Sequence, residues 1–234
     1  MNLSYPIGRA MTGAVAPLGD AGALSGIDKR PVDAVLRVTF TGLSGDAQGD
    51  LKHHGGPEKA IHHYPRDHYA SWGSELGDIA LLASPGAFGE NLSTSGLLES
   101  DVAVGDVFRL GSALVQVSQG RQPCWKLNAR FGVKDMASRV QQSGRTGWYY
   151  RVLEEGEVAP DDALRLVHRE TPEWTIGRLW RVFYIDRLDY EALAAMAGLP
   201  TLADAWRRHA RRRLESRTVE DWTDRLQGKK DDAR

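Results

Sequence analysis

A mainly β protein with some helix, built as a β-barrel followed by a small three-helix C-terminal appendage, is the fold class this sequence predicts. Three observations predict it. Short runs of alternating apolar and polar residues, separated by turns rich in Gly and Pro, recur to about residue 168, which is the pattern of a closed or nearly closed barrel. Beyond Glu170-Thr171-Pro172 the apolar spacing becomes helical. The length of 234 residues fits one large β domain with an appendage. The expected boundaries are 1–170 for the barrel, 171–228 for the appendage and 229–234 for a frayed tail.

In chain order, the first strands fall around 9–15 and at Val35-Leu36-Arg37-Val38-Thr39-Phe40, joined by a loop that carries Lys29 and Arg30. A Gly- and Asp-rich stretch, residues 42–50, matches neither the P-loop nor the dinucleotide fingerprint. Pro65 to Leu76 has helical spacing, with Tyr69, Trp72 and Leu76 on one face. Residues 102–118 read as a hairpin turning at Leu110-Gly111. A short helix is expected over 134–142 and further strands over 147–153 and 163–168. In the appendage, helices are expected over 175–184 and 186–197, with a third capped by Thr201 and running to about Arg217. The arginines at 207, 208 and 211–213 invite a nucleic-acid reading, but acids nearby dilute their charge, and a solvated face is the better reading.

Composition excludes more than it identifies. The hydrophobic fraction is 41%, the charged fraction 26% and the net charge −1, so no global field draws the chain to nucleic acid or to an anionic membrane. No apolar run approaches a membrane span, and the opening residues lack a basic segment leading to an apolar one, so a cytoplasmic location is expected. A single cysteine, Cys124, fits that compartment and cannot form an internal disulfide.

Two stretches carry chemistry. Cys124 follows a strand-like run and a Gly120/Pro123 turn, and Arg121 and Lys126 flank it with positive charge that favours thiolate. On these residues alone a small buried hydrophobe remains the commoner reading. Five of the seven histidines lie between positions 53 and 68. A zinc site would need ligand spacings absent here; an anion and substrate pocket using His54 and Arg66 is a second reading, and surface histidines a third.

Taken together and in order, Ser25-Gly26-Ile27-Asp28-Lys29, Gly42-Leu43-Ser44-Gly45-Asp46, His54-Gly55-Gly56-Pro57, His63 to Tyr69, Phe88-Gly89-Glu90-Asn91-Leu92 and Arg121 to Leu127 resemble the MOSC domain, named for the C-terminal part of molybdenum cofactor sulfurases. The resemblance is closest to the YiiM-like branch, which also carries a three-helix C-terminal appendage. It implies a β-barrel that binds molybdenum cofactor, with Cys124 as metal ligand, and reduction of N-hydroxylated compounds such as hydroxylaminopurine base analogues. Catalysis then falls to Cys124 and His54. Cofactor binding falls to Lys29, Asp46, His53, His54, Gly55, Gly56, Arg66, Glu90, Asn91 and Arg121, and the proton relay to His54, Asp46 or Glu90 without a choice among them. The implied partners are an N-hydroxylated small molecule and a flavoprotein reductase or other electron donor. No membrane or nucleic acid is expected, and the protein would be a monomer or homodimer. A cofactor or sulfur carrier without turnover is the alternative, and nothing resembles a pyridoxal phosphate domain.

Overall fold

Thirteen short strands organise the computed structural model, which describes residues 4–19, 22–49 and 55–228. They are β1 (Ser4–Pro6), β2 (Met11–Thr12), β3 (Ala16–Leu18), β4 (Ala23–Ser25), β5 (Arg30–Pro31), β6 (Leu36–Thr39) and β7 (Gly42–Leu43). After them come β8 (Ile61–His63), β9 (Val107–Leu110), β10 (Ala113–Gly120), β11 (Trp148–Glu154), β12 (Gly156–Val158) and β13 (Ala163–His168). The helices are α1 (His68–Leu76), α2 (Lys126–Phe131), α3 (Met136–Ser143), α4 (Ile176–Tyr184), α5 (Tyr190–Gly198), α6 (Asp204–Ser216) and α7 (Thr223–Gln227).

The β9–β10 hairpin is the centre. Its turn holds Gly111 at φ 57, and a Cβ there would lie 2.1 Å from the Glu157 carbonyl, so only glycine fits. An antiparallel sheet grows outward from the hairpin in the order β1-β13-β9-β10-β11-β8. Val115, Val117, Phe108, Leu110, Tyr150 and Leu164 of these strands are buried in one core. A second sheet, β12-β6-β7, adds Leu36, Val38, Leu43 and Val158 to that core. The closed or nearly closed barrel expected from the strand spacing takes the form of a curled half-barrel. The main ladder ends at β1 and at β8 without returning on itself, and the smaller sheet packs against β10 and β11.

Burial in β10 alternates as far as Val117, after which Ser118, Gln119 and Gly120 are all buried. The reason is that the C-terminal helices cover the second face of the strand end. Ala203 N donates to Ser118 O at 2.8 Å, and a Cβ on Gly120 would lie 3.3 Å from the Trp206 ring. Trp206, Phe183, Leu193 and Ile176 accordingly belong to the same apolar core as the sheet. A smaller second core stacks Tyr64 on Phe88 at 4.0 Å and gathers Tyr69 and Trp72 of α1 with Leu127, Phe131, Met136 and Val140.

Helix starts follow side-chain caps where the sequence offers them. Thr175 accepts from Arg178 N and Asp189 from Ala192 N. The second appendage helix thus begins at Tyr190 and not at Asp186, and the third begins at Asp204, because Thr201 forms no cap and its hydroxyl is buried. A further short helix, α7, follows the three expected ones. Arg213 departs from the solvated face expected of α6. It is fully buried, pairs with Glu220 at 2.8 Å and donates to Phe183 O at 2.9 Å.

A shared core has a measurable consequence. Trp206→Ala is expected to cost about 3–5 kcal/mol and to shift one denaturant transition seen alike by near-UV and far-UV dichroism. Two separated transitions, one for the sheet and one for the helices, would contradict the shared core.

Candidate active site

One pocket contains the only thiol of the chain. Its wall comes from six places: the end of β4 and the loop to Lys29, the segment 46–49, Lys59, His62 on β8, the residues Phe88, Gly89 and Asn91, and the turn that carries Arg121, Gln122, Cys124 and Lys126 with Tyr149 beside it. Cys124 lies after the end of β10 and just before α2, and is 8% exposed. The first two wall segments touch through backbone, since a Cβ on Gly26 would lie 1.8 Å from the Ala47 carbonyl.

An ion pair closes one side. Lys29 Nζ binds both carboxylate oxygens of Asp46, and the two side chains are 7% and 1% exposed. Asp46 also accepts from Gly13 N at 2.9 Å and from Asn91 Nδ2 at 2.9 Å. Asn91 Oδ1 in turn accepts from His62 N at 3.0 Å, which ties the pair to β8. Burial pushes the Lys29 ammonium below its ordinary value and the Asp46 charge opposes that push. Lys29, expected to bind the cofactor, thus spends its charge on Asp46.

Opposite stand two polar atoms that no described residue satisfies. His62 Nδ1 lies 3.1 Å from Gly89 O, and a carbonyl only accepts, so Nδ1 carries the proton. The ring's Nε2 then presents a lone pair, and it has no hydrogen-bond partner among the described residues. Burial first, and the nearby Arg121 charge second, hold this imidazole well below the usual histidine range, so it is neutral at pH 7. Arg121 donates one Nη to Phe88 O at 3.3 Å, while its other Nη is buried without a partner among the described residues. Tyr149 packs against His62 with ring centres 5.0 Å apart. Burial raises its hydroxyl pKa, Arg121 opposes the rise and Cys124 adds to it.

The sequence candidates divide. Cys124, Lys29, Asp46, Asn91 and Arg121 converge on this pocket. Arg66 does not. It stacks over Tyr69 at 4.1 Å, donates to Ala83 O at 3.1 Å and lines a separate depression with Pro85 and Thr94. Glu90 is fully buried beneath the 86–90 turn and does not line the pocket. Gly55 and Gly56 precede a short 3₁₀ turn, Pro57–Lys59, and do not line it either. His53 and His54 lie outside the described residues.

Residues that the sequence reading passed over also line the pocket, His62, Tyr149 and Lys59 among them. The histidine run hid the first of them. Neighbours on β8 point opposite ways, so His62 faces the pocket while His63 is held between Tyr150 Oη at 3.1 Å and Thr94 Oγ1 at 3.0 Å. His68 pairs with Glu99 at 2.7 Å in a third place. Among the described residues no group of three or more His, Cys, Asp or Glu is placed to hold a metal ion.

The curled sheet with its cysteine pocket at one strand end belongs to the MOSC class: a MOSC domain model matches residues 50–165. The chain belongs to the YiiM-like branch of that family, with a YiiM-like 3-alpha helix domain model matching residues 174–217. It is 42% identical over 230 residues to Protein YiiM of Escherichia coli (strain K12), covering 97% of this chain and 100% of that one. A protein of Gibberella moniliformis named Reductase is 36% identical over 193 residues, which span 82% of this chain and 34% of the fungal one. The crystal structure of YiiM from Escherichia coli superposes with a TM-score of 0.78 at 38% identity, covering 92% of this chain and 100% of that chain.

The buried histidines set a pH dependence. Burial lowers His63 from 6.5 to about 3, and His62 moves the same way. The unfolded chain takes up protons on both rings near pH 6.5 while the folded chain does not. Stability present at pH 7 should therefore fall as pH drops from 6.5 toward 3, by up to about 1.4 kcal/mol per pH unit for each ring. Urea melts between pH 7 and 5.5 test this, and His63→Gln should flatten the slope by up to one proton.

Proposed function

We propose that the protein reduces N-hydroxylated small molecules with molybdenum cofactor, and that Cys124 is the protein ligand to the metal. The observation that carries this reading is the grouping of the chain's single thiol with two buried polar atoms, His62 Nε2 and Arg121 Nη, that find no partner among the described residues, in one pocket. Buried polar atoms are rarely left unpaired. A bound group with a donor for His62 and an acceptor for Arg121 would pair both. The donor set also suits this cofactor, since a thiolate is a soft ligand for a metal already chelated by a dithiolene. The name of the fungal relative supports an oxidoreductase role.

When bound, the cofactor supplies two electrons, which with two protons convert R–NHOH to R–NH₂ and water. The chain's residues do the rest. Arg121 offers a fixed donor that orients a substrate or cofactor oxygen. His62, neutral and with Nε2 open to the pocket, can hold and return a proton at that atom, and so joins His54, Asp46 and Glu90 as a relay candidate. Tyr149 and Phe88 form an apolar side that limits water. Electrons would come from a flavoprotein reductase or similar donor, and a cytoplasmic setting suits both. No helix among the described residues is long and apolar enough to cross a membrane.

Protein purified from a host that makes the cofactor should contain molybdenum and pterin and should turn over an N-hydroxylated amidine with a supplied donor. Cys124→Ser keeps the side-chain volume and should fold with a loss of no more than about 1–3 kcal/mol, the cost of a buried hydroxyl left unpaired, yet lose turnover. Full turnover by the folded variant would remove the proposal. Cofactor content without turnover in the wild type would instead favour a carrier.

A further inference from the structure

The side chain at the centre of the Phe88-Gly89-Glu90-Asn91-Leu92 motif does not touch the pocket, yet the pocket's two unsatisfied atoms are oriented by the turn it holds. Glu90 is fully buried. Its Oε1 accepts from Gly86 N at 2.7 Å and from the Tyr69 hydroxyl, and its Oε2 accepts from Phe88 N at 3.0 Å. The Tyr69 oxygen also accepts from Ala87 N at 3.2 Å. Three successive backbone donors, at 86, 87 and 88, are thus turned inward onto one carboxylate and the phenol bound to it.

A planar trans peptide that points its N–H inward points its C=O outward. Gly86 O and Ala87 O accordingly face away from Glu90 and accept from Arg130 at 3.3 and 3.2 Å. The turn closes with Gly89 N donating to Gly86 O at 3.1 Å, and Gly89 adopts φ 75, where a Cβ would meet Ile27 at 2.7 Å. The next two carbonyls are thereby delivered to the pocket side. Phe88 O accepts from Arg121 and Gly89 O from His62 Nδ1.

We propose that Glu90 is a positioning residue for the pocket: by wrapping the 86–90 turn around its carboxylate it aims Gly89 O at His62 Nδ1 and Phe88 O at Arg121, which fixes the His62 tautomer and leaves Nε2 and the second Arg121 Nη open to the ligand. The inference rests on reading this pocket as the ligand site, and it is independent of which reaction takes place there. A filler role for Glu90 would affect only stability. The positioning role predicts a change in the protonation pattern of a ring that Glu90 does not contact.

Histidine-selective ¹⁵N labelling with two-bond ¹H–¹⁵N correlation reads that pattern directly, without cofactor or substrate. The wild type should show His62 as a single neutral ring with Nδ1 protonated and Nε2 bare. Glu90→Gln keeps the side-chain shape but replaces one acceptor oxygen with a donor, so one of the inward N–H or O–H groups loses its partner and the turn relaxes. The folded variant should lose the single-tautomer pattern at His62 and show a second, Nε2-protonated form. His63, held by Tyr150 and Thr94 instead, serves as the internal control and should not change. Tyr69→Phe removes one donor to the same carboxylate, so it should give a smaller shift in the same direction and serves if Glu90→Gln does not fold. A folded Glu90→Gln protein with an unchanged His62 pattern, or a wild type already protonated at Nε2, would overturn the proposal. Loss of the tautomer pattern with N-hydroxyl reduction absent from the wild type would sink the proposed reaction and leave this inference standing.

Discussion

The Asp46 carboxylate is the point on which the pocket depends. It is 1% exposed and accepts from Lys29, Gly13 N and Asn91, so it fastens segments around residues 13, 29, 46 and 91 to each other. No two of these share a strand, and between them they frame one side of the pocket. A buried ion pair is not in itself a large net stabiliser, because both charges give up their water, but removing one partner typically costs about 3–5 kcal/mol. Here the remaining lone pairs are filled by neutral donors, which is the condition for such a pair to persist. Its effect is carried onward through Asn91, which binds His62 N and Met11 O at 3.0 Å each and so sets where β8 lies against the loops.

The opposite wall depends on the end of the chain. Pro123 O accepts from Arg225, Trp125 N donates to Arg225 O at 2.8 Å, and Asn128 Nδ2 donates to Leu226 O at 2.8 Å. Trp206 fills the space that Gly120 leaves open. The residues on both sides of Cys124 are therefore held by groups about a hundred positions later in sequence. The helical region behaves as part of the support for the thiol, whatever else its outer face does. That is a physical reason for a half-barrel of this kind to carry the helices: the strand that delivers the cysteine would otherwise end with its second face bare.

Much of this was legible in the sequence where the signal is local. Gly111 marked the hairpin turn, Thr175 marked a helix start, and the apolar spacing of Tyr69 and Trp72 marked the buried face of α1. The ordered motifs brought Lys29, Asp46, Asn91, Arg121 and Cys124 into one reading, and they do share one pocket. What failed was long-range or ambiguous. Strand β8 has three residues and all are buried, so alternation offers no way to tell His62 from His63. The neutralisation of Lys29 depends on a partner 17 residues away. Arg66 is the instructive case, since Tyr69 three residues later offered a ring to stack on, and that local contact draws the guanidinium away from the pocket.

Charge bookkeeping along the wall then decides what kind of ligand the pocket selects. Lys29 is matched by Asp46, and Lys126 donates to Leu24 O at 2.9 Å, so these two ammonium groups hold the fold together before they hold anything else. Among the described residues Arg121 keeps one nitrogen uncommitted, and His62 keeps a lone pair uncommitted. A pocket so arranged discriminates by the pattern of donors and acceptors it meets more than by net charge. An unmatched polar atom in a buried site costs about 1–3 kcal/mol, and that penalty falls on any ligand with the wrong pattern. Selectivity of this kind needs its atoms held in place, which is why a carboxylate that never reaches the ligand can matter as much as the residues that do.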